Sequence, residues 1–119
     1  PRQGRLRWEP GMAGGSEFAV VDLDREGVER GLAAGTLSLV DVREPHEFAA
    51  GHIPGSINLP LSTFDPEALR DLPGRVVFSC AAGVRSVRAI EYAQTVGLGL
   101  REHYLGGFKD WALSGEPVA

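Results

Sequence analysis

Val76-Val77-Phe78-Ser79-Cys80-Ala81-Ala82-Gly83-Val84-Arg85-Ser86 is the stretch whose reading decides the fold. Its three opening residues are apolar and β-prone, the pattern of a short strand buried on both faces of a parallel sheet. Beyond the loop, Val87 to Val96 repeats with helical spacing. Arg88, Glu91 and Thr95 share a polar face, Val87, Ala89, Ile90, Ala93 and Val96 an apolar one, and Gly97 supplies the C′ stop. The one cysteine of the chain stands between strand and helix. There it faces the positive end of the helix and the unpaired N–H groups of its first turn, which stabilise a thiolate or a bound anion. Gly83 lets the loop bend and Arg85 adds a fixed charge. Cys80 therefore reads as an activated nucleophile in an anion-binding cradle. The competing reading is a buried cysteine acting as a small hydrophobe; the strand–loop–helix position and the arginine weigh against it.

Outward from this segment, strands and helices alternate. Phe18 to Val21 reads as a strand, Asp24 as the N-cap of a helix through Ala34, and Leu37 to Val40 as a second strand leading into Asp41 and Arg43. Pro45 opens a short helix holding Glu47, Phe48 and Ala49, and a turn at Gly51–Gly55 precedes a third strand ending near Pro60. Asp65-Pro66 starts a helix through Leu72, Arg101 to Leu105 is a fifth strand after the one before Cys80, and Phe108 to Leu113 is a last helix. This order predicts an α/β domain with a mainly parallel sheet, whose ligands lie beyond the carboxyl ends of the strands. Asp41 and Arg43 follow one strand and Cys80 to Arg85 another, so both segments open on the same edge. Residues 1–16 carry glycine, proline and scattered arginines without sustained periodicity. They read as a flexible arm whose Arg2, Arg5 and Arg7 are solvated charges, with the domain proper over 17–119.

The totals narrow the function. At 119 residues the chain is one domain, with 43% hydrophobic and 24% charged residues, as in ordinary globular proteins. A net charge of −4 argues against general nucleic-acid binding. A lone cysteine excludes an intramolecular disulfide and fits a reducing compartment. No apolar run is long enough to cross a membrane and no signal-peptide pattern is present, so a cytoplasmic location is expected. The three histidines and the cysteine have no zinc spacing, and neither a metal nor a cofactor is expected. His52 reads as fixing its turn through hydrogen bonds. His46, on an exposed turn, and His103, in a strand, offer no base for the cysteine, so thiol activation is assigned to the backbone of the loop. Ser86 is placed either to donate toward the Cys80 sulfur or to cap the helix. Trp111 and Phe108 read as packing residues, and Glu44 and Glu47 as ion-pair or surface groups.

Taken together, Asp41-Val42-Arg43-Glu44 with Glu47-Phe48, Gly51-His52-Ile53-Pro54-Gly55, the Cys80 to Ser86 loop, Gly106-Gly107 with Trp111, and Gly115 with Pro117-Val118 resemble the rhodanese family of sulfurtransferases. The resemblance runs from about Leu23 onward. It implies a three-layer domain with a five-stranded, mainly parallel sheet flanked by helices, and a chemistry that moves a sulfane sulfur through a cysteine persulfide. Cys80 would be the sulfur carrier and Ala81, Ala82, Gly83, Val84, Arg85 and Ser86 its substrate-binding loop. Asp41 and Arg43 would flank the pocket, as an ion pair or with a direct role. Implied partners are a small sulfur-containing anion such as thiosulfate, or a persulfide, as donor, and cyanide, a thiol or a protein as acceptor. Ala81 and Ala82 stand where some thiosulfate-using members carry basic side chains, which leaves the donor open. Two other functions compete. One is a non-enzymatic or sulfur-carrier interaction module. The other is a phosphatase or arsenate reductase, disfavoured because the familiar phosphatase loop is one residue longer than the Ala81–Val84 spacer.

Overall fold

Val76 and Phe78 turn to one side of the sheet and Val77 to the other, and all three are buried, as a strand inside a three-layer domain requires. They belong to β5 (Arg75–Ser79) of a computed structural model that describes residues 4–12 and 15–119. The other elements are β1 (Gly4–Glu9), β2 (Phe18–Leu23), α1 (Arg25–Ala34), β3 (Leu37–Asp41), α2 (Pro45–Ala50), β4 (Ile57–Asn58), α3 (Arg85–Thr95), β6 (Glu102–Tyr104) and α4 (Gly107–Leu113). Two 3₁₀ turns, Leu61–Thr63 and Pro66–Leu69, lie between β4 and β5. The strands run in the order β1-β2-β6-β5-β3-β4, and every pairing is parallel except that of β1 with β2.

Two apolar clusters form, one on each side of the sheet. The first joins Val40, Phe78 and Cys80 to Val87, Ala89, Ile90 and Ala93 of α3. The second joins Leu37, Leu39, Val77 and Tyr104 to Val28 of α1 and Trp111 of α4. Alternation along β3 and β5 sends successive side chains to opposite clusters, so these strands read as continuous apolar runs. Helix starts follow local chemistry. Asp24 Oδ1 accepts from the Gly27 N–H at 2.9 Å, and Pro45 sits in the first turn of α2 above a Glu44–Glu47 capping box.

The sheet has six strands where five were expected. The extra one is β1, from the stretch read as an arm; it pairs antiparallel with the whole of β2, from Gly4 opposite Leu23 to Glu9 opposite Phe18. Arg7, taken for a solvated charge, ion-pairs with Asp22 and Glu9. Arg2 lies outside the described residues. Between β4 and β5 the expected helix through Leu72 shrinks to the Pro66–Leu69 turn. Pro73 disfavours a helical Leu72 before it, and only Leu69 of the turn is buried, so no apolar stripe supports a longer helix. The third strand also contracts, to Ile57–Asn58. Among the described residues, no helix is long and apolar enough to cross a membrane.

Candidate functional site

β3 and β5 pair in parallel as far as Asp41 opposite Ser79, and the chain leaves both strands at the same edge. Cys80 is the first residue beyond β5 and α3 begins at Arg85, so Ala81 to Val84 form the whole connection. The loop folds back over the sulfur. The Gly83 N–H points at Sγ from 3.1 Å and the Ser86 N–H from 3.4 Å, and the Ser86 hydroxyl lies 3.5 Å away. Cys80 is only 1% exposed. Burial pushes its thiol up, but the Ser86 hydroxyl and the amides of Ser86, Ala82 and Gly83 outweigh it and hold the group below the ordinary thiol value.

Two glycines make this cradle possible. Gly83 has φ +83°, and a Cβ there would stand 2.4 Å from the Leu105 carbonyl oxygen. Gly107 opens α4 at φ +66°, and a Cβ there would meet the carbonyl oxygens of Cys80 and Ala81 at 2.5 and 2.6 Å. With no side chain in the way, the Phe108 N–H donates to the Cys80 carbonyl at 2.8 Å and the Lys109 N–H to the Ala81 carbonyl at 3.0 Å. The loop carbonyls are thereby tied to α4 and its N–H groups are left facing the sulfur.

The remaining sequence candidates divide between loop and scaffold. Val84 is exposed and lies at the rim. Arg85, expected to lend its charge to the loop, is bidentate on Glu47, with N–O distances of 2.7 and 3.0 Å. The Arg85 guanidinium beside it holds the Glu47 carboxyl down at about 2. Asp41 and Arg43 form a buried ion pair at 2.7 Å, with both side chains 5% exposed. Arg43 also donates to the Gly51 carbonyl at 2.8 Å and lies 4.4 Å over the Phe108 ring. Neither makes a hydrogen bond to Cys80 among the described residues; their partners are each other, the Gly51 carbonyl and the Phe108 ring. His52 fixes its turn as expected: Nδ1 lies 2.9 Å from the Phe48 carbonyl, the ring stacks on Phe48 at 3.7 Å, and its backbone pairs with Ala119.

His103 departs from the sequence reading. Its Nδ1 lies 2.7 Å from the Ser86 hydroxyl, and its Nε2 lies 2.6 Å from Asp22 Oδ1. It is thus one serine removed from the sulfur, in the sheet beneath the loop. A partial signal was present in the sequence: Asp22 interrupts the otherwise apolar run Phe18–Leu23, whereas His103 follows two other polar residues, Arg101 and Glu102, and does not stand out. What the sequence lacked was the pairing of β2 with β6, which sets the two opposite each other.

A thiol gripped by backbone amides where a parallel strand passes into a helix defines a cysteine-loop α/β domain, in which the N–H groups favour the ionised sulfur. The comparisons make the family specific. A rhodanese-like domain family model matches residues 24–114, and the chain belongs to that family. It is similar to the thiosulfate sulfurtransferase/rhodanese-like domain-containing protein 3 of Mus musculus, at 41% identity, with 63% of this chain and 57% of that protein covered. The chain therefore spans little more than half the length of that relative. The thiosulfate:glutathione sulfurtransferase of Homo sapiens is 33% identical, with 67% of this chain and 83% of that one covered. Among solved structures, a human single-domain sulfurtransferase superposes with a TM-score of 0.65 at 30% identity, covering 81% of this chain and 97% of that one.

Proposed function

We propose that the protein is a sulfurtransferase in which Cys80 carries the transferred sulfur. The observation that carries this reading is the convergence of the Gly83 and Ser86 amides on a single thiol whose ionisation they favour. Membership of the rhodanese-like family and the names of the mouse and human relatives support the same class of reaction. In the first half-reaction the Cys80 thiolate attacks the outer sulfur of thiosulfate or of a persulfide. A bond forms to that sulfur, the donor S–S bond breaks, and sulfite or a thiolate leaves with the electron pair. In the second half-reaction cyanide, a thiol or a partner protein attacks the outer sulfur of the Cys80 persulfide and restores the thiolate. The sequence is redox-neutral overall and calls for no cofactor. Backbone N–H groups that face the sulfur stabilise each anionic state without reorganising. Arg85, already answered by Glu47, contributes less to donor binding than its place in the loop suggests.

Intact mass after incubation with thiosulfate or a small persulfide tests the reading. A gain of one sulfur atom that thiols reverse, absent in Cys80→Ser, is the expected result. No gain with either donor, or the same gain in Cys80→Ser, would overturn it.

A further inference from the structure

Behind Cys80 runs a line of polar groups that sulfur transfer, as written above, does not use. The Ser86 hydroxyl lies 3.5 Å from Sγ and 2.7 Å from His103 Nδ1. His103 Nε2 lies 2.6 Å from Asp22 Oδ1, and Arg7 Nε donates to Asp22 Oδ2 at 2.7 Å. Ser86 and His103 are both 0% exposed. The line crosses four elements, from α3 to β6, β2 and β1, so it is a product of tertiary structure rather than of one motif.

The polarity of each link is constrained. Asp22 can only accept, because hydrogen bonds from Arg7 and His103 outweigh its burial and hold its carboxyl below the ordinary value. His103 Nε2 must then carry a proton. If the imidazole is neutral, Nδ1 is bare and accepts from the Ser86 O–H, and Ser86 has only lone pairs left to offer the sulfur. That arrangement suits a thiol, whose S–H donates to Oγ. A thiolate has no proton to donate and needs the Ser86 O–H turned toward it, which in turn requires a proton on Nδ1. The neutral tautomer with that proton would set a bare Nε2 against the Asp22 carboxylate. Only the imidazolium satisfies both ends.

We propose that Ser86, His103 and Asp22 form a buried relay that accepts the Cys80 proton and holds it on His103 while the sulfur is a thiolate. The proton of Sγ passes to Ser86 Oγ as the proton of Oγ passes to His103 Nδ1; no atom leaves and the net charge is unchanged. Water is not required at a sulfur that is 1% exposed. The groups facing the imidazole are Asp22 on β2, with Arg7 of β1 behind it, Ser86 on α3, and the thiol itself beyond β5. The other cation of the loop, Arg85, is paired with Glu47 of α2. Burial and Arg7 disfavour the imidazolium, and Asp22 favours it. His103 is on this account a positioning residue that acts through Ser86.

The proposal rests on Cys80 being the sulfur carrier, since it assigns the fate of that thiol's proton. The test uses the full chain and reads the thiol independently of transfer. Thiolate ultraviolet absorbance and iodoacetamide alkylation are followed against pH in wild type, Ser86→Ala, His103→Gln and the double variant. Each single change should raise the Cys80 inflection by about one unit, and the double variant should rise no further than the larger single. Nitrogen NMR of the His103 ring needs no change in the relay, so it decides the matter even if a variant fails to fold. In wild type the ring should carry imidazolium character over the pH range in which Cys80 ionises, and Cys80→Ser should lose that coupling. A ring that stays neutral throughout, or inflection shifts that sum in the double variant, would overturn the relay. Sulfur loading with an uncoupled ring would sink the relay alone; a coupled ring without sulfur loading would sink the sulfur-carrier reading and leave the relay standing.

Discussion

Removing the Asp41 carboxylate tests whether the Asp41–Arg43 ion pair at the end of β3 holds the site up or works within it. Arg43 donates to Asp41 through its backbone N–H at 2.9 Å and through Nε and Nη2, the shortest of these side-chain bonds being 2.7 Å. In Asp41→Ala the guanidinium keeps the Gly51 carbonyl, the long 3.5 Å bond to the Glu47 carbonyl and the face of Phe108, but no counter-charge, at 5% side-chain exposure. Breaking a buried pair from one side costs about 3–5 kcal/mol, a large share of the roughly 5–15 kcal/mol that holds a domain of this size. With a urea m-value of about 2 kcal/mol/M, the unfolding midpoint should fall by about 2 M at unchanged m. Tryptophan fluorescence reads this through the buried Trp111, checked by far-ultraviolet circular dichroism. Asp41→Leu combined with Arg43→Met should recover much of the loss, because two desolvated charges are then replaced by apolar volume. A midpoint shift under about 0.5 M in Asp41→Ala, or a double variant as unstable as the sum of the singles, would refute the bracing role.

Three further outcomes follow from the same geometry. Gly83→Ala must place a side chain at φ +83° against the Leu105 carbonyl, so it should cost at least about 1–2 kcal/mol and raise the Cys80 inflection as the loop amide moves away; an unchanged melt and titration would refute the close approach. Glu47→Gln should release Arg85 toward the loop and lower the thiosulfate KM a few-fold with kcat nearly constant, whereas a raised KM would mean that the carboxylate orients the arginine for binding. His103 has its folded-state pKa lowered by burial below 6.5, so the unfolded chain takes up its proton first. Stability tied to this group is complete above about 6.5 and is lost as pH falls through that value toward the lower folded one. Urea midpoints measured across that window, where Cys80 is a thiol and the relay has moved no proton, should slope more steeply in wild type than in His103→Gln; equal slopes would mean that the imidazole facing the thiol is not buried neutral.

Legibility followed the range of each interaction. β5, the loop and α3 could be read because their signals are local: an apolar run, a glycine and a helical stripe within 21 residues of chain, 76 to 96. Even there α3 begins two residues before Val87, since Arg85 and Ser86 form its first turn. β1 carried a weaker signal. Arg5-Leu6-Arg7-Trp8-Glu9 alternates, but over only five residues among glycines and prolines; it is an edge strand whose Leu6 and Trp8 stay exposed, so its pairing with β2 rather than a buried face holds it in the sheet. The Arg85–Glu47 pair joins residues 38 apart, and the His103–Asp22 bond residues 81 apart. Local pattern can suggest that a cysteine at a helix start will be charged by backbone amides, because those amides are its neighbours in sequence. It is blind to a histidine brought beneath the loop by strand order. In the sequence the neighbours of His103 are Glu102 and Tyr104. In the fold its partners are Asp22 and Ser86. A fully buried imidazole between a carboxylate and a hydroxyl is costly to desolvate and makes little packing sense beside Phe78 unless its hydrogen bonds do something for the group they reach. The group they reach is the Ser86 hydroxyl, and beyond it lies the sulfur of Cys80.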